Sequence, residues 1–323
     1  MNKNFNKIYS DFLNLIENKL QYVIGGAKPD SVRIPFEYLI DNGGKRLRPI
    51  LAMLACGVCG ENPEMALSSA TAIEILHNFT LAHDDLMDSS PLRRGRATVH
   101  EKFSPSVAIL LGDAMIGYAL KLLPENKDAI NLFFDAHVVV CEGQALDMDY
   151  NNRNDISEDD YLEMIRQKTA NLIRVSVLIG ARLGNANQEN YDNLEKFSLN
   201  LGLAFQIQDD YLDLMGKSAE IGKEIGQDIL EGKKTLMIIK CRELAKENSD
   251  KKLIEKFYKN NGLDKSEIPA IRNLMEKLGI FDEIKNIINN YFEKAKNNLD
   301  KLPENQYREM LGWILEKTSS RQS

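Results

Sequence analysis

The amino-acid sequence predicts an all-α protein, and three features of the chain lead to this prediction. Proline is missing from residues 125–268, a stretch long enough for several uninterrupted helices. Apolar residues in this stretch recur at spacings of three and four, for example at Ile130, Phe133 and Phe134. Strict apolar–polar alternation is scarce, and so are Asn-Gly and Asp-Gly pairs. We therefore expect helices and no sheet.

The individual helices follow from this periodicity together with signals for helix starts. Ser157, with Asp160 three residues later, has the pattern of a capping box. Four prolines stand where first helical turns are expected, at Pro49, Pro63, Pro105 and Pro303. About ten or more helices are expected. They span residues 4–24, 33–41, 47–60, 63–88, 104–122, 125–150, 157–183, 188–215 and 228–247, with several more after 250.

The chain carries no sign of a boundary between domains. We find no low-complexity linker and no clean internal repeat, so residues 1–323 are expected to form one domain. Beyond Asn248 the sequence is rich in Lys, Glu and Asn, and its apolar stripes weaken. Residues from about 250 to 323 are therefore expected to be a solvated helical annex of the same domain.

Composition and charge exclude several classes of protein. The chain is 43% hydrophobic and 28% charged, which is typical of a soluble globular protein. Its net charge of −7 argues against a nucleic-acid partner bound through a broad basic surface. A secretory signal is not evident, and no apolar run reaches the roughly 18 residues of a membrane span. A cytoplasmic location without a disulfide framework is expected.

Two similar carboxylate clusters are the strongest chemical signal in the sequence. The first, DDLMD, contains Asp84, Asp85 and Asp88, and the second, DDYLD, contains Asp209, Asp210 and Asp213. In each cluster the first and last aspartates are four residues apart, so they share one helix face. Both clusters lie near predicted helix C-termini, where the dipole disfavours anions. Oxygen ligands without matched Cys or His indicate Mg²⁺.

Basic residues beside glycine accompany the clusters. The segments are GGKRLRP (43–49), LRRGRATVH (92–100), QKT (167–169) and GKEIGQDILEGKKT (222–235). Arginine grips anionic oxygens with two parallel hydrogen bonds, and glycine lets backbone N–H groups approach a ligand closely. Together with the carboxylate clusters, these segments predict a site where metal ions and cationic side chains hold phosphate groups.

The motifs, taken in order from GGKRLRP to GKKT, resemble the trans-isoprenyl diphosphate synthases, also called polyprenyl synthetases. This resemblance covers nearly the whole chain and is most like the geranylgeranyl diphosphate synthases. It implies the isoprenoid synthase fold, in which helices surround a deep central cavity, and usually a homodimer. It also implies Mg²⁺-dependent head-to-tail (1′-4) condensation of isopentenyl diphosphate with an allylic diphosphate of five to fifteen carbons, using three Mg²⁺ ions.

The resemblance also implies roles for individual residues. Asp84 and Asp88 would bind two Mg²⁺ ions and Asp209 the third, while Asp85, Asp210 and Asp213 complete the two motifs. The residues expected to hold the allylic diphosphate are Arg93, Lys168, Thr169, Gln206, Lys223 and Lys233. Those expected to hold isopentenyl diphosphate are Lys45, Arg48, His77 and Arg94. The six aspartates of the two motifs, together with Lys168 and Lys223, are expected to act in catalysis.

Phe79 and Thr80 are expected to form the floor that limits product length. Phe79 lies five residues before the first aspartate, roughly 7.5 Å along a helix. The resemblance places a chain-length residue at this position, and a large ring there should stop the product early. The first motif also lacks the two-residue insertion common in bacterial farnesyl synthases. A C20 product, geranylgeranyl diphosphate, is expected, with C15 farnesyl diphosphate as the alternative.

Other interpretations remain open at this point. A terpene cyclase shares the fold class but usually replaces the second Asp motif, and a silent regulatory subunit usually loses one motif. The pair Cys56 and Cys59 has metal-ligand spacing, but a zinc site needs a second pair, so small core residues are expected. Glu74 and His77 match one half of a di-iron motif whose other half is missing.

Overall fold

The chain folds into helices, as the sequence predicts. A computed structural model describes residues 2–215 and 225–321. Up to residue 151 the helices are α1 (Asn2–Gly25), α2 (Asp30–Ile40), α3 (Leu47–Val58), α4 (Leu67–Met87), α5 (Val99–Lys102), α6 (Pro105–Leu120) and α7 (Lys127–Asn151). A 3-10 turn (Pro63–Ala66) precedes α4. The all-α prediction is confirmed.

The remaining helices follow residue 157. They are α8 (Glu158–Ile165), α9 (Asn171–Leu183), α10 (Gln188–Met215), α11 (Gln227–Leu230), α12 (Leu236–Leu244), α13 (Asn248–Asn260), α14 (Ile268–Lys277), α15 (Ile280–Leu299) and α16 (Gln306–Ser319). A π-helical turn (Arg166–Ala170) joins α8 to α9, and a 3-10 turn (Lys265–Glu267) precedes α14.

Local capping determines where several helices begin. The Ser157 hydroxyl accepts a hydrogen bond from the Asp160 backbone N–H, and the Asp160 carboxylate accepts one from the Ser157 backbone N–H. This confirms the predicted capping box at the start of α8. Ser104 caps α6 through the Val107 N–H, and Pro105 takes the first helical position, where a missing N–H costs nothing.

The structure corrects four details of the prediction. A two-residue antiparallel ladder pairs β1 (Leu92–Arg93) with β2 (Arg96–Ala97), although no sheet is expected. The helix predicted over 228–247 is broken between α11 and α12. The helix predicted over 157–183 contains the π-helical turn. Pro303 precedes α16 by three residues and does not lie in its first turn.

Compact packing divides the chain into two units. The first comprises Met1–Val138, Leu172–Ser198 and Asn298–Ile314. In this unit α4 packs against α1, α3 and α6. Residues 69–76 of α4 are buried on every side of the helix, and Ile73, Ile75 and Leu76 are fully buried. A helix of this kind belongs in a core, so its last turn holds the first carboxylate cluster at the core's edge.

The second unit comprises Val139–Asn171, Leu199–Asn297 and Leu315–Ser323. Helix α12 packs against α8, α13 and α14. The core of this unit includes Tyr161, Ile238, Phe257 and Ile284, each at most 1% exposed. Side chains beyond residue 250 therefore contribute to a buried core as well as to a solvated surface. The single-domain organisation and its annex stay a prediction.

Cys56 and Cys59, which the sequence predicts to be core residues, are unreactive thiols in the structure. Cys56 is buried and Cys59 half-buried, and neither forms a disulfide. Burial raises the pKa of Cys56 to about 12 and that of Cys59 to about 11, so both stay thiols at neutral pH. Across the described ranges, no helix combines the length and the apolar character that crossing a membrane would require.

Candidate active site

The first carboxylate cluster separates into exposed and buried members. It forms the C-terminal turn of α4, where the Asp88 backbone N–H donates to the Asp84 carbonyl over 2.8 Å. Asp88 is exposed and Asp84 half-buried, whereas Asp85 is 2% exposed. Arg93 Nε lies 2.7 Å from Asp85 Oδ1. Burial raises the pKa of Asp85, and Arg93 opposes this rise. Asp85 therefore anchors Arg93, and the outer two aspartates are more accessible than Asp85.

A tight hairpin explains the RRG sequence after this cluster. Arg93 pairs with Arg96 across the ladder, and the two connecting residues, Arg94 and Gly95, have φ of +53° and +75°. Two positive φ values in succession are typical of a type I′ turn, where glycine is favoured. Thr98 closes the hairpin by donating its hydroxyl to the Ser90 carbonyl over 2.8 Å. The hairpin therefore holds the basic residues next to the carboxylates.

Cationic side chains gather around His77 in the first unit. Arg48 Nη1 lies 3.0 Å from His77 Nε2. Burial and the charges of Arg48, Arg93, Arg94 and Arg46 hold the pKa of His77 well below its usual range. The imidazole is therefore neutral and accepts the Arg48 hydrogen bond. This geometry brings together most of the set predicted to bind isopentenyl diphosphate.

Two members of the GGKRLRP segment behave differently. Arg46 is 3% exposed, and its guanidinium contacts Glu17 at 2.7 Å and Glu74 at 3.0 Å. This arginine is a structural cation because its charge is already balanced by carboxylates. Its neighbour Lys45 is exposed, and the Lys45 carbonyl accepts a hydrogen bond from the Tyr9 hydroxyl. Glu74 is thus an ion-pair partner within the core.

Phe79 lies on α4 one and a half turns before Asp84 and is 7% exposed. Its ring centroid is 4.6 Å from that of His83 and 5.3 Å from that of His137. Thr80 donates its hydroxyl to the His77 carbonyl over 2.8 Å. Phe79 is therefore fixed between two imidazoles. The floor role of Phe79 and Thr80 stays a prediction.

The second carboxylate cluster spans the last two turns of α10, and its three members have different partners. Asp209 is exposed, and its Oδ1 lies 3.2 Å from Arg321 Nη1. Asp210 is buried, and burial and Asp228 raise its pKa well above the usual range. Asp213 Oδ2 accepts the Asp228 backbone N–H over 3.1 Å. The pattern matches the first cluster, with a buried middle carboxylate beside more accessible neighbours.

A cavity in the second unit brings together four of the six residues predicted to hold the allylic diphosphate, and Arg93 is not part of its lining. Its lining includes Lys168, Thr169, Gln206 and Lys233, which come from three separate segments of the chain. Lys223, predicted to belong with them, lies outside the described residues. The cavity is also lined by acidic and aromatic residues that the motif analysis left without a role, namely Asp147, Tyr150, Tyr161 and Asp228.

Two lysines of the cavity wall, Lys168 and Lys233, are each paired with a carboxylate. Lys168 Nζ lies 2.6 Å from Asp147 Oδ2, and Lys233 Nζ lies 2.8 Å from Glu231 Oε2 and 3.4 Å from Asp228 Oδ1. Burial lowers the pKa of Lys233, but these two carboxylates outweigh it and leave the pKa above its usual range. Both lysines are therefore held as cations at the cavity wall. In the sequence, the only local sign of the partner of Lys168 is that Asp147 is an acidic residue directly after the segment GQAL (143–146).

The QKT segment forms the π-helical turn between α8 and α9. A π turn widens a helix locally and is frequent at functional sites. Helix α7 approaches this backbone so closely that a Cβ on Gly143 would lie 2.4 Å from the Lys168 backbone nitrogen. Glycine at 143 is therefore required, and the close approach fixes the position of Lys168.

The donor set suits a hard divalent cation completed by other ligands. Asp84, Asp88 and Asp209 offer carboxylate oxygens, which Mg²⁺ prefers. Among residues 2–215 and 225–321, no group of three His, Cys, Asp or Glu side chains forms a ready-made metal site. Mg²⁺ commonly binds through one or two carboxylates together with water and substrate phosphates, so the residues present fit this ion.

Comparison with known proteins agrees with the geometry. Residues 29–275 match the profile of the polyprenyl synthetase family. The geranylgeranyl diphosphate synthase of Sulfolobus acidocaldarius is 36% identical over 307 residues, which cover 92% of each chain.

Solved structures show the same fold. Geranylgeranyl pyrophosphate synthetase from Pyrococcus horikoshii Ot3 superposes with a TM-score of 0.91 at 31% identity, covering 99% of this chain and 100% of that chain. A decaprenyl diphosphate synthase from Rhodobacter capsulatus superposes with a TM-score of 0.92 at 28% identity, covering 99% and 98%. These similarities confirm the isoprenoid synthase fold. The chain belongs to the polyprenyl synthetase family.

Proposed function

We propose that this prenyltransferase condenses isopentenyl diphosphate head to tail with allylic diphosphates and releases geranylgeranyl diphosphate. The observation that carries the proposal is the shared design of the two carboxylate clusters. In each, the middle aspartate is buried with a hydrogen-bonded partner, and the first is more accessible. The similarity to the Sulfolobus acidocaldarius enzyme supports the same reaction.

The anion-binding residues divide into two groups with separate tasks. Arg48, His77 and Arg94 on the first unit, together with Lys45, are proposed to hold isopentenyl diphosphate. Neutral His77 can donate one hydrogen bond while Arg48 carries the charge. The allylic diphosphate is proposed to bind Lys168, Thr169, Gln206 and Lys233 of the second-unit cavity, with Arg93 and Lys223.

Mg²⁺ is proposed as the metal, with Asp84 and Asp88 holding two ions and Asp209 a third. When bound, the ions neutralise negative charge that develops on a departing diphosphate. Lys168 and Lys233 add positive charge that is already in place, so little reorganisation is needed as the bond breaks. Asp85, Asp210 and Asp213 are proposed to act indirectly, because each holds a neighbouring group.

No side-chain nucleophile is needed for this reaction. Loss of diphosphate leaves an allylic cation, and apolar surroundings protect it from water. The double bond of isopentenyl diphosphate attacks the cation, and a proton is then lost, with the departed diphosphate as the proposed base. The residues of this chain bind the two substrates, orient them and exclude water from the cation.

Product length is proposed to stop at C20, with C15 as the alternative. The fold alone does not discriminate, since a geranylgeranyl and a decaprenyl synthase superpose almost equally well. A local feature must therefore set the product length. The bulky Phe79 ring, fixed between His83 and His137, is the proposed floor that limits this length. Thr80 is proposed to contribute beside it.

A homodimer is proposed from the surface of the first unit. Ile109 and Leu110 on α6 are 50% and 56% exposed, and Phe134 and Val138 on α7 are 47% and 54% exposed. Large exposed apolar side chains of this kind often mark a protein contact surface. Sedimentation analysis would test the proposal. The expected cytoplasmic location stays a prediction.

The test is condensation by the purified chain with Mg²⁺, isopentenyl diphosphate and a C5, C10 or C15 allylic diphosphate. Linear prenyl diphosphates and released diphosphate are expected. Cyclic hydrocarbon from the allylic substrate alone would indicate a terpene cyclase. Lack of turnover until a partner synthase is added would indicate a regulatory subunit, and either outcome would refute the proposal.

A further inference from the structure

The buried hydroxyl of Tyr161 has no role in the motifs described so far. Tyr161 lies on α8, is 1% exposed and is among the largest fully buried side chains of the described chain. Its hydroxyl donates to Asp210 Oδ2 over 2.7 Å. A buried tyrosine usually satisfies its hydroxyl, but here the acceptor is the middle carboxylate of a functional motif.

The contact continues from Asp210 to the cavity wall. Gln206 Nε2 donates to Asp210 Oδ1 over 2.7 Å, and Thr169 Oγ1 donates to Gln206 Oε1 over 2.9 Å. All four side chains, those of Tyr161, Asp210, Gln206 and Thr169, line the cavity. We call Tyr161, Asp210, Gln206 and Thr169 the Tyr161 relay. All four residues belong to the second unit.

The Tyr161 hydroxyl and the Gln206 amide nitrogen both donate to Asp210, one to each of its side-chain oxygens. The amide oxygen then faces Thr169, and the single Thr169 proton is used in that contact. Thr169 can therefore present only oxygen lone pairs to a group in the cavity. Lone pairs suit developing positive charge, whereas Lys168 and Lys233 suit the diphosphate.

We propose that Tyr161 is a positioning residue that holds the direction of this relay and thereby orients Gln206 and Thr169 toward the reacting allylic group. The inference rests on the proposed condensation reaction. In this role Tyr161 acts through Asp210 and not on the substrate. It acts because its O–H satisfies the buried Asp210 carboxylate, which leaves the second oxygen to hold the Gln206 amide.

The first test replaces only the hydroxyl. Tyr161→Phe should lower kcat by roughly tenfold to a hundredfold, because Asp210 loses a buried hydrogen bond and Gln206 loses its fixed orientation. The KM for the allylic diphosphate should stay within about threefold, because the lysine charges that hold it are untouched. Binding of an unreactive allylic thiodiphosphate, measured by calorimetry, should be equally unchanged. Tyr258→Phe, on α13 and outside the cavity lining, is the matched control.

A merely structural role is distinguished by a double-mutant cycle. If Tyr161 acts through Gln206, then Tyr161→Phe combined with Gln206→Leu should be no slower than Gln206→Leu alone, within about twofold. Multiplicative losses in the double variant would overturn the proposal. So would a Tyr161→Phe enzyme with wild-type kcat, or one whose loss lies wholly in KM and thiodiphosphate affinity.

Asp210→Asn keeps the test decisive if Tyr161→Phe does not fold. This near-isosteric change replaces one of the two acceptor oxygens with an amide nitrogen that donates. The Gln206 amide can then flip and reverse the hydrogen bonds of the relay, so kcat should fall at least tenfold. An unchanged kcat would overturn the proposal. Wild-type activity separates the two claims. An inactive wild-type enzyme refutes the proposed function. An active wild type whose variants keep the same kcat refutes only the role of the Tyr161 relay.

Discussion

Arg93 and Asp85 form an ion pair in which Arg93 Nε lies 2.7 Å from Asp85 Oδ1, and the two side chains are 29% and 2% exposed. The pair links the buried member of the first carboxylate cluster to the hairpin that follows. Opposite charges are crowded here because one carboxylate positions a guanidinium, while Asp84 and Asp88 remain at the surface.

Substitutions at Asp85 and Asp88 should therefore have different effects. Asp85→Ala should lower the free energy of unfolding by about 2 kcal/mol, less than for a wholly buried pair because Arg93 keeps contact with water. Asp88→Ala removes an exposed carboxylate and should leave that free energy within about 0.5 kcal/mol, yet slow condensation more than roughly a hundredfold. Urea unfolding measures the free energy of unfolding of each variant, and initial rates measure its condensation activity. Equal destabilisation by the two changes would contradict this account.

Phe79 should control product length. Phe79→Ala removes the ring that rests between His83 and His137, so products longer than C20 should accumulate. The cost in stability should be about 3 kcal/mol, as for other buried Phe-to-Ala changes. Phe79→Tyr keeps the ring and should keep the C20 endpoint. Chromatography of dephosphorylated products provides the readout, and an unchanged endpoint in Phe79→Ala would remove the floor role.

Arg321 should compete with metal at the second cluster. Its guanidinium lies 3.2 Å from Asp209 Oδ1 and 4.9 Å from the Phe205 ring centroid. Exposed ion pairs are worth about 0.2–1 kcal/mol, so Arg321→Gln should lower the Mg²⁺ concentration for half-maximal rate by up to about fivefold. Arg308→Gln, which removes another exposed pair, serves as control. A higher Mg²⁺ requirement in Arg321→Gln would show that the arginine assists binding.

His77 should make the fold sensitive to mild acid. Its pKa is depressed in the folded chain, so below about pH 6.5 the unfolded chain binds a proton that the folded chain does not. Stability is then full above that pH and falls by up to about 1.4 kcal/mol per pH unit below it. Urea unfolding at pH 7.5 and 5.5 should therefore show a greater loss in wild type than in His77→Gln. Equal losses would mean that His77 is protonated in the folded state.

The sequence was sufficient for features that depend on neighbouring residues. Helical periodicity and the Ser157 capping box are local, and the structure confirms both. The break between α11 and α12 was missed, although residues 231–235 are polar and Gly232, with φ of +71°, ends the shorter helix. The Arg93–Gly95 hairpin was missed because its strands have only two residues each.

The parts of the site that sequence could not supply depend on contacts between distant residues. Tyr161 and Asp210 are 49 positions apart, and Lys168 and Asp147 are 21 apart. Tyr161 falls in none of the motifs, and nothing local marks its hydroxyl as the partner of Asp210. Likewise, the buried state of Asp85 and Asp210 depends on packing, so spacing alone could not show that the middle aspartate of each motif is the buried one.

The most direct test of the central claim is the size of the product made by the wild-type enzyme. The chain would be supplied with Mg²⁺, isopentenyl diphosphate and a C5, C10 or C15 starter in separate reactions, and the products sized after dephosphorylation. We predict a C20 endpoint from all three starters. An endpoint of C15, or of C30 and beyond, would contradict a geranylgeranyl diphosphate synthase with its floor at Phe79.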